Sequence, residues 1–194
     1  MNRRIALGPL SALLLAAMLG CGGGSRGGVM PTSIDTTRAL TAIDSREPFD
    51  VWLGRGSGRD GLETVYIGPR GESVLYRRHA DPYGLMRWER ASVQLTPSDI
   101  IELRTSIANH HLLALERVYQ NGTADGTQWV LAIVQGDAAR VTLFDNVFPE
   151  EAEGFAYDLD QILARRRLES LVWTPIADDE AGRHDDALWD ATRR

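Results

Sequence analysis

Several groups of residues in this chain have types and spacings that chemistry could use. Gly56-Ser57-Gly58-Arg59-Asp60-Gly61 spells G-x-G-x-x-G, which cradles a pyrophosphate when a helix begins directly behind it. The residues that follow, Leu62-Glu63-Thr64-Val65-Tyr66-Ile67, read as a strand, so the motif is expected to be a hairpin loop. What survives is a candidate binding loop in which Arg55, Ser57, Arg59 and Asp60 flank exposed amides, suited to an anion or an acidic partner. Asn121-Gly122-Thr123-Ala124-Asp125-Gly126 begins like a calcium loop, but its twelfth position, which needs a bidentate glutamate, is Ala132. His110 and His111 are adjacent, about 100° apart on a helix, whereas a helical metal pair sits at i and i+4. His79 and His184 fall in a loop and in the tail, so no metal is expected. Ser57 lacks the strand–turn–helix setting of a nucleophile elbow. Asp158, Asp160, Glu150, Glu151 and Glu153 read as solvated charge on helix faces. Trp52 and Trp88 lie beside charged residues on strands and read as half-exposed aromatic contacts able to stack on a glycan. Trp129, in the most apolar segment, reads as core.

The composition narrows the chemistry further. All 21 basic residues are arginine, so neither a Schiff-base lysine nor a phosphate-loop lysine exists. A single cysteine, Cys21, excludes an intramolecular disulfide framework and a cysteine-rich zinc site. The 27 acidic residues leave a net charge of −6, the wrong sign for a protein that neutralises nucleic-acid phosphates. No cofactor motif survives, and the reading is of a protein that binds and does not catalyse.

The elements that must position these residues follow from periodicity and turn chemistry. Strands are expected over residues 49–53, 62–67, 72–78, 86–95, 129–134 and 140–144. Gly68-Pro69-Arg70-Gly71 and Gly136-Asp137 supply reverse turns. Thr96-Pro97-Ser98-Asp99 opens a helix: Thr96 caps, Pro97 takes the first position, and Asp99 meets the positive helix end. That helix should end near Asn109-His110-His111. A second helix spans about residues 150–167, with Ala152, Phe155, Leu159, Ile162 and Leu163 on one stripe. The order ββββαββα predicts an α+β domain over residues 47–174, with about six antiparallel strands and both helices on one face. Residues 175–194 are charged and poor in apolar side chains, and read as a disordered tail.

The first 20 residues have the layout of an export signal: Arg3 and Arg4, then an apolar run too short to span a bilayer. The run ends Met18-Leu19-Gly20-Cys21, which resembles the lipobox of bacterial lipoproteins. The resemblance implies cleavage before Cys21, lipidation of its sulfur and attachment to a membrane through the acyl chains. Gly22, in place of an aspartate that retains lipoproteins in the inner membrane, implies the outer membrane. Residues 21–46 then read as a glycine-rich tether.

The globular part resembles small exported bacterial domains and emfourin, an inhibitor of a thermolysin-like protease. Early hairpins, a T-P-x-[DE] helix start at residues 96–99, a late hairpin and a final helix carry the resemblance. It implies a layout and no particular binding residue. The expected function is a membrane-anchored binding domain with a protein or other cell-envelope partner. Protease inhibition, glycan binding and, further off, a hydrolase are the alternatives. A binding module would present the loops at residues 55–61 and 79–84.

Overall fold

The computed structural model describes residues 30–35, 37–57, 59–122, 126–177, 180 and 184–193. The export signal, Cys21 and the first part of the tether lie outside them, as do Gly58 and residues 123–125 of the calcium-like loop. In chain order the elements are β1 (Arg38–Ala39), β2 (Asp50–Ser57), β3 (Gly61–Ile67), β4 (Glu72–Ala80), β5 (Met86–Gln94), α1 (Pro97–Asn109), β6 (Val118–Gln120), β7 (Gln128–Gln135), β8 (Ala138–Asp145), α2 (Glu150–Ala164), β9 (Thr174–Pro175) and α3 (Asp186–Thr192).

The class is α+β, and the six long strands fall where alternation and turn residues put them. They form one antiparallel array, β8-β7-β2-β3-β4-β5. The sheet as a whole corrects the expectation of six antiparallel strands. Among the described residues it has nine strands and is mixed, because β1 and β6 run parallel to β8, while β9 lies antiparallel on β5. Strands of two or three residues are too short to carry any periodicity, so the sequence gives no sign of them.

Two cores follow from alternation along the strands. On the first face Val51, Leu53, Val65, Ile67, Leu75, Leu131 and Ile133 pack under α1 and α2, through Leu103, Ile107, Phe155, Leu159 and Ile162. The start of α1 matches its signal: Thr96 and Asp99 form a reciprocal capping box, and Pro97 sits in the first turn. On the second face Trp52, Tyr66, Val74, Tyr76, Val130, Ala132 and Val141 are covered by Ile34 and by Ala187, Leu188 and Ala191 of α3.

That second cover corrects two expectations. α1 and α2 do share one face, but a third helix that was not expected lies on the other, and the described part of the C-terminal segment is not a loose tail: β9 joins the sheet edge, and α3 docks on the second face with Leu188 fully buried. The tether is also shorter than expected, since Ile34 and Leu40 are buried and Arg38–Ala39 pairs with Ala138 and Ala139.

Register fixes which loops share an end of the sheet. Asp50, Ile67, Glu72, Gln94 and the β7–β8 turn lie at one pole, next to β1. Ser57, Gly61, Ala80, Met86, Gln128 and Asp145 lie at the other. The first pole also holds β1. The second carries the candidate loops.

Candidate functional site

The loop at residues 55–61 is tighter than the sequence suggests. β2 runs on through Arg55 and Gly56 to Ser57, paired with Gly61 of β3. Gly56 faces Gly61 so closely that a Cβ there would lie 2.3 Å from the Gly61 carbonyl oxygen, and Gly61 takes φ +81°. The glycines therefore serve the hairpin, and a strand follows as expected. Ser57 Oγ accepts from the Asp60 amide at 3.0 Å and closes the turn.

Three of the four loop residues singled out are already engaged within the protein. Arg55 belongs to the strand and makes a bidentate bond to Asp160 of α2, at 2.7 and 2.8 Å. Its guanidinium lies 6.0 Å from the Trp129 ring centre. Asp60 pairs with Arg78 of β4 at 3.2 Å. Arg59 is exposed, and among the described residues it enters no ion pair. Beside the turn lies a polar cavity of about 570 Å³, lined by Ser57, Arg59, Asp60, Thr127, Gln128 and Asn146 together with Gly56 and Gly126. Gly126 is needed there, because a Cβ would fall 1.5 Å from Asn146 Oδ1, and Asn146 itself has φ +60°.

The tip of the β4–β5 hairpin stands next to this turn. Pairing of β3 with β4 stops at Thr64–Tyr76, whereas β4 and β5 pair on to Ala80–Met86. The last four rungs thus form an arm. Its turn is organised by Asp81, whose Oδ1 accepts from the amides of Tyr83 and Leu85, both at 2.9 Å. Arg87 Nε donates to Oδ2 at 2.9 Å, and backbone bonds Asp81 N–Leu85 O and Gly84 N–Asp81 O close the loop. The Arg87 bond, followed by the Leu85 amide, holds the Asp81 carboxyl below its ordinary pKa. On this fixed turn Tyr83 is 90%, Leu85 59% and Met86 52% exposed.

Of the two tryptophans expected to be half-exposed, Trp52 is buried instead and Trp88 is partly buried as expected. Trp52 is only 2% exposed, tilted against Tyr66 with ring centres 4.8 Å apart. β2 is a central strand, so its side chains on both faces are covered. Trp88 is half-buried: His184 packs on it with ring centres 4.2 Å apart, and Gly61 lies beneath its indole. Trp129 is half-buried against Phe148. The C-terminal segment holds the Trp88 cover in place by bonding to Leu62, at the seam where β3 and β4 part. Asp185 Oδ2 accepts from the Leu62 amide at 3.0 Å, and His184 Nε2 donates to the Leu62 carbonyl at 2.7 Å.

The remaining polar groups knit the helices together. His110 caps the end of α1, and its Nε2 meets Asp158 Oδ2 of α2 at 3.0 Å; Ser106 Oγ donates to the same oxygen at 2.7 Å. The carboxylate stands between serine and histidine, which is not the order in which a histidine would activate a serine. Asp158 and Asp160 are therefore helix-to-helix and helix-to-sheet ties, correcting the reading of both as solvated charge. The Ser106 bond is the largest influence on the Asp158 carboxyl; burial opposes it, and His110 adds to it, so that the pKa is lowered overall. His111 adopts φ +52° and points away into a second, mainly apolar groove of about 550 Å³ beside Ile43, Ile107 and Leu113. Among the described residues no three His, Cys, Asp or Glu side chains converge, and no helix is long and apolar enough to cross a membrane.

The loop at residues 79–84 was singled out, but the organising role of Asp81 within it and the exposed Leu85 and Met86 beyond it were passed over. Their signal is there to read: Asp-Pro-Tyr-Gly is a turn sequence with a side-chain acceptor at its first position, and apolar residues follow where a loop should be polar. Comparison with known proteins finds no family model and no curated protein that matches this chain. The likeness to emfourin therefore rests on layout alone.

Proposed function

We propose that this chain is a bacterial envelope lipoprotein, exported by its first 20 residues, attached through Cys21 to the outer membrane, and built to bind a protein rather than to catalyse. The observation that carries the binding reading is the placement of the exposed loops. β1, the strand nearest Cys21 in sequence, lies at one pole, and the turn at residues 57–61 and the hairpin tip lie at the other. A domain held in this way turns those loops away from its attachment point. Of the two residues that would serve glycan stacking, Trp52 is buried and Trp88 is half-buried under His184, which leaves a protein partner as the favoured class. The anchor is tested by fractionating cells that express the wild type and Cys21→Ala. The wild type should sediment with membranes and the variant should not. Equal sedimentation of both would overturn the anchor.

One observation favours protease inhibition as a second reading. An inhibitory loop must hold its shape before it binds, because ordering on contact costs affinity, and the Asp81 turn is held by five hydrogen bonds. Adding the purified protein to a thermolysin-like metalloprotease should then slow peptide hydrolysis in a saturable way. Undiminished hydrolysis at excess protein would end that reading.

A further inference from the structure

We infer that the β4–β5 arm is the recognition element of this domain, and that Tyr83, Leu85 and Met86 insert into an apolar pocket on a protein partner. The inference rests on the tethered-binding reading above and names the part of the far pole that makes the contact.

Three observations carry it. First, single exposed apolar residues are ordinary on protein surfaces, but contiguous ones on a fixed scaffold mark contacts. Tyr83, Leu85 and Met86 are three of the seven large hydrophobic side chains exposed among the described residues, and they fall within four positions of one turn. Second, the turn is braced from both sides. Asp81 sets its backbone, and the Arg78–Asp60 pair and the Trp88–Gly61 contact join the arm to the turn at residues 57–61. A preformed tip loses little freedom on binding.

Third, charge selects the partner. A loop that docks on anionic lipid needs several free cations around its apolar tip. Here Arg87 is neutralised by Asp81 and Arg78 by Asp60. Among the described residues of this pole that leaves Arg59 as a single unpaired arginine, in a chain whose net charge is −6. A pocket on another protein, apolar inside and without a strong acidic rim, fits these facts better than a bilayer. The tip alone is small, so the contact is of the transient class unless the turn at residues 57–61 adds to it.

The test places a photo-crosslinker in the full-length chain in its own cells, at Tyr83, at Arg59 and, as a control on α2, at Tyr157. The expected result is a discrete protein adduct from Tyr83 that is absent from Tyr157. Joint Leu85→Ser and Met86→Ser exchange should reduce its yield at least about tenfold, the size of one hot-spot loss, with an unchanged melting temperature. Mapping the adduct by mass spectrometry should place it among apolar residues of the partner. Adducts on a second copy of this chain, or on a charged surface, overturn the inference. So does sedimentation of Cys21→Ser protein with phosphatidylethanolamine–phosphatidylglycerol vesicles if Leu85→Ser abolishes it, which would assign the tip to lipid. An adduct from Arg59 with none from Tyr83 removes the tip but leaves the binding domain standing. No adduct from either position removes both.

Discussion

Asp99 joins three parts of the molecule at one carboxylate. It accepts from the Thr96 amide and hydroxyl at 2.8 and 2.7 Å, closes the cap of α1, and pairs with Arg166 beyond the end of α2. Burial by itself would raise its pKa. The Arg166 and Thr96 bonds outweigh burial, and the net effect is a carboxyl held below its ordinary value of 3.8. The sign of the linkage follows. Because the folded value is the lower one, the stabilisation is complete above the ordinary value and drains away as pH falls through the folded one. Asp99→Asn should cost about 1–3 kcal/mol at neutral pH, the range for removing a charged hydrogen-bond partner. Urea unfolding at pH 7 and pH 3 checks it, since the gap between wild type and variant should narrow at the lower pH. A gap independent of pH would mean that the charge does not contribute. This residue was legible from Thr-Pro-x-Asp alone. Its pairing with Arg166 was not legible, because a pair separated by 67 positions leaves no mark in a linear pattern.

Between elements, the packing of α1 on α2 is set by one absence. Gly154 carries no side chain where the His110 ring crosses it, and a Cβ there would lie 2.4 Å from His110 Cε1. The ring is thereby free to reach Asp158. Gly154→Ala should lower stability by about 1–3 kcal/mol, the usual cost of overpacking, although alanine is the better helix former. The exchange should be much less costly in a His110→Ala background, and a double-mutant cycle by chemical denaturation measures that coupling. Equal costs in both backgrounds would show that the ring is not the obstacle. At this scale the sequence was informative wherever an element was long. The six main strands and both long helices follow from alternation, turn residues and the apolar stripe of α2. It failed where the determinants were tertiary. Trp52 looked half-exposed beside Asp50 because nothing local says that β2 is flanked on both sides. Arg55 looked like a loop cation because its partner, Asp160, is 105 residues away.

Taken whole, the molecule is a sheet with two unequal covers. The first consists of long amphipathic helices that any periodicity search finds. The second rests on Ile34 from the N-terminal side and on α3, whose seven residues bury Ala187, Leu188 and Ala191 in the core and pack Trp189 partly against it, too few to stand out in a charged tail. Its anchoring by His184 and Asp185 goes to backbone atoms of Leu62, which no side-chain pattern can report. Leu188 fits over Gly54, where a Cβ would lie 2.9 Å from its Cδ1. Leu188→Ala should therefore cost about 2 kcal/mol, at the low end for a buried leucine because the tail can detach before the sheet unfolds. Hydrogen exchange should register the loss first at the Leu62 amide, while amides of β7 keep their protection. Uniform loss across both would mean that the tail and the sheet unfold as one unit. The docked tail also has a consequence for the order of events during synthesis. The bonds of His184 and Asp185 to Leu62, and the cover that α3 lays over the second face, wait for the last part of the chain to be made. A growing polypeptide still lacking those residues has Trp52, Tyr66 and Tyr76 without their C-terminal cover, so the second face closes after the first.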